Sequence, residues 1–165
     1  MTLYLRSIFW TVVLPGTVTI FLPRLILARV GSAAPETWGV AQYFNLLLII
    51  AGAAVLLRCV WDFIVVGRGT LSPVDAPKHL VVTGLYRYVR NPMYVGVFLV
   101  LLGEIIFFAS TALLIYTIVW FGFVNLFVLF YEEPALRSKF GQSYEDYCRS
   151  VRRWVPRRPS GATGG

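Results

Sequence analysis

Met93 to Tyr131 reads MYVGVFLVLLGEIIFFASTALLIYTIVWFGFVNLFVLFY, a run whose single charge is Glu104. A helix needs about 20 mainly apolar residues, rising roughly 1.5 Å each, to cross a bilayer. The run is therefore long enough for two crossings, and Ala109-Ser110-Thr111 is the weakest hydrophobic stretch at which to turn. This predicts helices near Met93 to Phe108 and Ala112 to Tyr131, closed as a tight hairpin, with Tyr116, Trp120 and Tyr131 available as interfacial anchors. One long tilted helix is the alternative.

Two further runs lie upstream. Ser7 to Ala28 carries only Arg24, and Val40 to Val66 only Arg58 and Asp62, so each fits one crossing. Ser7 to Ala28 lacks the charged leader and small-residue cleavage site of a signal peptide and reads as a span. With 58% hydrophobic and 14% charged residues, the chain has more apolar surface than a compact water-soluble fold of 165 residues can hide. The expected fold is an all-α membrane protein with about four transmembrane helices, a polar loop and an amphipathic C-terminal helix. Residues 1–158 read as one domain and 159–165 as a disordered stub without a prenylation or retention signal.

Four crossings place Arg6, the segment bearing Arg68, Lys78, Arg87 and Arg90, and the tail bearing Arg137, Lys139, Arg149, Arg152, Arg153, Arg157 and Arg158 on one side. Only Arg24 and Arg29 fall on the other, so the positive-inside rule makes the first side cytoplasmic, with both termini. The net charge of +7 then reflects topology and attraction to anionic headgroups. No separate basic domain exists to bind nucleic acid. Cys59 falls in a span and Cys148 in the tail, so neither a disulfide nor a metal site is expected.

Two polar pieces remain. Gly67 to Pro92 is long for a connector. It opens on a turn-rich stretch, Gly67-Arg68-Gly69-Thr70 with Pro73, Asp75 and Pro77, of the kind that can wrap a ligand. Leu80-Val81-Val82 then extends toward Thr83-Gly84-Leu85-Tyr86-Arg87-Tyr88-Val89-Arg90-Asn91-Pro92, and Asn91-Pro92 opens the third span. The second piece follows Tyr131-Glu132-Glu133-Pro134. Leu136, Phe140, Tyr144, Tyr147 and Val151 recur there at helical spacing, as in a surface helix that lies on the membrane, covers the first loop, or does both.

One histidine (His79), no nucleophile triad, no metal-ligand cluster and no phosphate-cradling glycine loop make hydrolase and metalloenzyme chemistry poor fits. The acidic pair Glu132-Glu133 beside lipid needs compensation, and Arg90 is its simplest partner. The pair is either a structural ion pair or a binding element for a cation or for ribose hydroxyls. Tyr86, Tyr88 and Tyr94 offer aromatic faces to a sulfonium or an adenine, although tyrosines are common at interfaces in any case. Glu104 either lines an access route within the bilayer or bonds a neighbouring span.

The segments Leu80 to Gly96, Glu132-Glu133 and Phe140-Gly141-Gln142-Ser143-Tyr144-Glu145-Asp146-Tyr147 together resemble the membrane methyltransferases of the isoprenylcysteine carboxyl methyltransferase and phospholipid methyltransferase superfamily. The likeness covers roughly the second half of the chain. It implies S-adenosylmethionine as methyl donor and a lipid or other lipophilic acceptor reached from the bilayer. Carried over, it implies that His79, Leu80, Val81, Gly84 and Tyr86, the Asn91-Pro92-Met93-Tyr94 turn, and Glu132 with Glu133 hold the cofactor, with Arg90 and Glu132 in the catalytic machinery. Three positions depart from the isoprenylcysteine enzymes. Asn91 stands where they have histidine before proline, Val128 where they have an arginine one turn before the acidic pair, and Lys78 aligns with another family histidine that His79 misses by one place. A non-enzymatic membrane scaffold that keeps the fold is the alternative reading, and a sterol-reductase-like activity is disfavoured by the short chain.

Overall fold

The computed structural model describes residues 3–35, 37, 39–69 and 78–156. Expectations for Thr70 to Pro77, Arg157, Arg158 and the stub at 159–165 fall outside them. No strand occurs among the described residues. Helix α1 (Leu3–Val30) contains a wide π turn, Thr17–Phe21, between Pro15 and Pro23. Each proline removes a backbone donor, and the wide turn absorbs the mismatch. Helix α2 (Val40–Asp62) runs on through a π turn, Phe63–Gly67. Helices α3 (Pro92–Phe108) and α4 (Thr111–Phe127) form the hairpin.

That hairpin turns where the composition weakens. Ala109 takes the left-handed φ of 45°, and the Ser110 side chain caps α4 by accepting from the Leu113 N–H. A single tilted helix is thereby excluded. Among the described residues, three helices are long and apolar enough to cross a membrane, and α3 is a shorter apolar helix beside them, which accords with about four crossings. The protein is an all-α integral membrane protein, and its outer surface carries exposed Ile8, Phe9, Leu47, Ile118, Val119 and Phe123 that lipid would cover.

Inside the bundle, α2 and α3 make the most extensive helix contact. The contact depends on glycine. A Cβ on Gly52 would meet the Gly96 carbonyl oxygen at 2.6 Å and the Val100 nitrogen at 2.8 Å, and one on Gly103 would come within 3.0 Å of the Asn45 carbonyl. Small residues let two backbones approach in lipid, where dispersion rather than the hydrophobic effect drives association. Leu56, Val97, Val100 and Leu101 fill the core beside this seam, joined by Tyr116 and Trp120.

The fourth crossing ends differently from expectation. Helix continues from α4 through a π turn, Val128–Glu132, into α5 (Glu133–Phe140), so Pro134 does not break it. Proline is tolerated in a first helical turn, and the π turn before it takes up the change in pitch. The break falls at Gly141, with φ of 54°, and α6 (Gln142–Ser150) follows. The surface helix expected over Leu136 to Val151 is therefore two helices, although Tyr144, Tyr147 and Val151 still cluster with Leu136 and Phe140 as the spacing implied.

Candidate functional site

The polar site is assembled where α3 begins, α4 ends and the tail crosses. Asn91 has φ −119° and ψ 54°, which aims Pro92 into the first turn of α3. Tyr94, within that first turn, donates its hydroxyl proton to Glu132 Oε2 at 2.9 Å. The adjacent glutamate has a different partner. Glu133 is buried, accepts two bonds from Arg153 at 2.7 and 2.9 Å, and lies 3.2 Å from Arg90 Nη1. The forked Arg153–Glu133 bond is the strong, planar kind, and it holds the Arg153 guanidinium above its usual pKa.

Arg90 is the partner the sequence suggested for the acidic pair, and it bonds Glu133 rather than Glu132. Its Nη1 also donates to the Cys148 sulfur, and its backbone N–H donates to the Arg152 carbonyl at 2.9 Å. The Asn91 amide reaches the Arg153 carbonyl at 3.4 Å. Residues 151–154 thus form a strap laid over Arg90 and Asn91. Beyond it the Trp154 ring packs against Phe121 at 5.3 Å and Tyr94 at 6.3 Å between centroids, so an aromatic wall stands beside the Tyr94–Glu132 bond.

The 80–90 loop is held from two sides. Gly84 opens a 3₁₀ turn, Gly84–Arg87, at φ 57°. A Cβ at this position would strike the Asp62 carboxylate, so Asp62 explains the glycine without any appeal to a ligand. Asp62 is itself buried, paired through Oδ1 with Arg58 at 3.2 Å, while its Oδ2 is buried without a hydrogen-bond partner. From the other side, the Tyr147 hydroxyl donates to the Tyr86 carbonyl at 2.6 Å. Tyr86 packs with Cys59 and Val81 under the loop. Burial pushes both phenols, Tyr86 and Tyr147, above the usual tyrosine pKa and keeps them protonated.

The structure therefore brings Arg90, Asn91, Pro92, Tyr94, Glu132 and Glu133 together. Met93 faces the cores beneath, packing with Leu101 on one side and Tyr86 on the other. Leu80 joins the Tyr144 cluster, Val81 joins the Cys59 cluster, and His79 is exposed with its backbone N–H on the Gly67 carbonyl at 3.3 Å. No hydrogen bond or ion pair among the described residues links His79, Leu80, Val81 or Gly84 to the acidic pair. Tyr88 is half-buried under the Arg87 guanidinium. Val128 is 1% exposed, sealed in apolar packing.

Sequence reasoning missed Arg153, Trp154, Cys148 and Asp62 as members or supports of this site. Arg153 was hidden in a basic run that topology alone explained. Trp154 had a usable signal, since a tryptophan just beyond an amphipathic helix seldom lacks an apolar seat. Asp62, a charge inside an otherwise apolar span, had one as well.

The profile of the phospholipid methyltransferase family matches residues 40–143. A protein-S-isoprenylcysteine O-methyltransferase of Schizosaccharomyces pombe is 42% identical over 85 residues, covering 49% of this chain and 35% of that protein. Protein-S-isoprenylcysteine O-methyltransferase A of Arabidopsis thaliana is 30% identical over 127 residues, covering 73% of this chain and 61% of that protein. The chain thus spans about a third and about three fifths of the length of these two relatives. No solved structure matches it. The matched segment contains the α2–α3 seam, the 80–90 loop and the acidic pair, and this chain belongs to the phospholipid methyltransferase family.

Proposed function

We propose that the protein transfers a methyl group from S-adenosylmethionine to a lipophilic acceptor that reaches the site from the bilayer, at the cytoplasmic face. The Tyr94–Glu132 hydrogen bond beside the Trp154 and Phe121 rings carries this reading. The residues fit such a donor. Glu132 gives Oε2 to Tyr94, and no hydrogen bond among the described residues uses its other oxygen, so that oxygen can accept from ribose hydroxyls or an ammonium group. The aromatic wall suits an adenine or a sulfonium.

When bound, the donor supplies an electrophilic methyl on a sulfonium; the acceptor–carbon bond forms as the sulfur–carbon bond breaks. The protein's part in an in-line displacement is to position and to exclude water. Tyr94 orients Glu132, and the Arg90–Glu133–Arg153 cluster fixes the strap that carries Trp154. Neither Glu133 oxygen is free of an arginine, so Glu133 supports the site and Glu132 does the binding. Val128 stands where the isoprenylcysteine enzymes carry an arginine, and the nearby Arg90 and Arg153 are engaged by Glu133, which favours an acceptor without a prenylcysteine carboxylate.

Calorimetry on detergent-purified protein tests the cofactor directly. Glu132→Gln and Tyr94→Phe are each expected to weaken S-adenosylmethionine binding about tenfold, the effect of one charge-assisted hydrogen bond. Absence of binding by a folded wild type would overturn the assignment. A screen with labelled donor and lipid extract separates an enzyme, which incorporates label, from a scaffold, which does not. Reporter fusions at both termini test the cytoplasmic orientation.

A further inference from the structure

A second concavity shares no residue with the Tyr94–Glu132 site. It is an open groove of about 530 Å³ between the start of α1 and the end of α2, with Leu3, Ile64 and Val65 as its apolar wall and Tyr4, Arg6, Arg68 and Lys78 around it. The backbone gathers these cations. Arg68 ends the helix at φ 50° and ψ 41°, its N–H on the Phe63 carbonyl. The Gly67 carbonyl accepts from the Lys78 N–H at 2.8 Å, which ties Lys78 back beside Arg68. Gly67 and Gly69 flank a left-handed position that glycine would occupy without strain, yet that position itself carries an arginine.

Neither Arg68 nor Lys78 has an ion-pair partner among the described residues. Arg68 and Lys78 carry like charges around one groove and repel one another, and an anion relieves that repulsion. The chemistry selected is that of a phosphate, and the wall decides its source. Val65 is 50% exposed and continues the surface that faces lipid, so an occupant with a charged head and an apolar body fits better than a free ion. We infer that this groove holds the phosphate of an anionic phospholipid between Arg68 and Lys78, with its acyl portion along Leu3, Ile64 and Val65. The bound lipid is a ligand separate from the methyl acceptor, and the inference stands whether or not the methyl-transfer reading does.

Native mass spectrometry and thermal unfolding of the full chain in non-ionic detergent test it, with phosphatidylglycerol, phosphatidylcholine and inorganic phosphate as the three probes. Phosphatidylglycerol is expected to give a one-to-one adduct and raise Tm, with phosphatidylcholine about tenfold weaker. Arg68→Asn, which keeps a residue tolerant of the left-handed region, combined with Lys78→Gln, is expected to weaken the phosphatidylglycerol adduct at least tenfold with the helical spectrum retained. An unchanged adduct in the double variant would overturn the site. Stabilisation by inorganic phosphate equal to that by phosphatidylglycerol would overturn the lipid as its source. If Arg68→Asn does not fold, Lys78→Gln alone decides, because its side chain is exposed, and unchanged affinity there overturns the proposal equally.

Discussion

The α2–α3 seam and the tail strap both hold two parts of the chain together, by opposite means. The seam joins its helices through missing side chains, since Gly52, Gly96 and Gly103 let backbones touch. The strap joins the tail to the α3 entry through a buried carboxylate gripped by two arginines. Lipid explains the division. Within the bilayer a polar tie must be fully satisfied, and close packing is the cheaper device. At the water boundary ionic groups keep part of their hydration, and directional bonds can fix a site. The seam should therefore respond to volume and the strap to charge.

The largest effect is expected from Glu133→Ala, which leaves Arg90 and Arg153 facing each other without their carboxylate. Breaking a buried pair costs about 3–5 kcal/mol, here toward the lower end because Arg153 is partly exposed at 28%. Equilibrium unfolding in mixed micelles measures it, and Glu133→Gln should recover part of the loss through retained hydrogen bonds. A loss below that of a surface substitution would mean that the strap is not held by charge. Gly52→Val comes next, at about 2–3 kcal/mol, the cost of overpacking a fitted contact. Its signature would be loss of helix pairing with the strap chemistry intact. Tyr147→Phe should cost about 1 kcal/mol by removing the bond to the Tyr86 carbonyl.

The smallest effect is one of pH. Folded Tyr86 and Tyr147 have pKa values raised by burial. Their contribution is fully present below about pH 10, where an unfolded tyrosine ionises, and is lost as pH climbs from there through the raised native values. Trp154 fluorescence should thus report loosening of the strap under alkaline conditions, later in Tyr147→Phe, which has one such phenol fewer. An earlier transition in that variant would contradict the linkage.

Much of the fold was legible because span length is a strong signal. The turn at Ala109 to Thr111 was found from a dip in hydrophobicity alone, and the Tyr144, Tyr147 and Val151 face from spacing. The helix expected to end near Tyr131 runs on, because a π turn ahead of Pro134 carries it through to Gly141. At the site, order along the chain pointed to the neighbourhood of Asn91 to Tyr94 and of the acidic pair. It could not separate the roles of Glu132 and Glu133. Neighbours in a helix point about 100° apart, so one faces Tyr94 and the other the strap, a distinction that depends on three-dimensional placement. The family likeness put Gly84 at the cofactor, and its lack of a side chain is accounted for by Asp62, 22 positions earlier.

The forked bond between Arg153 and Glu133 spans 20 positions of sequence. Synthesis proceeds from the amino end, so Glu133 leaves the ribosome with Arg90 already made and Arg153 still to come. For that interval the nascent chain has its crossings but not the strap that seats Trp154. Ties within the bundle can therefore form first, and the tie between the tail and the α3 entry forms only once Arg153 has been made.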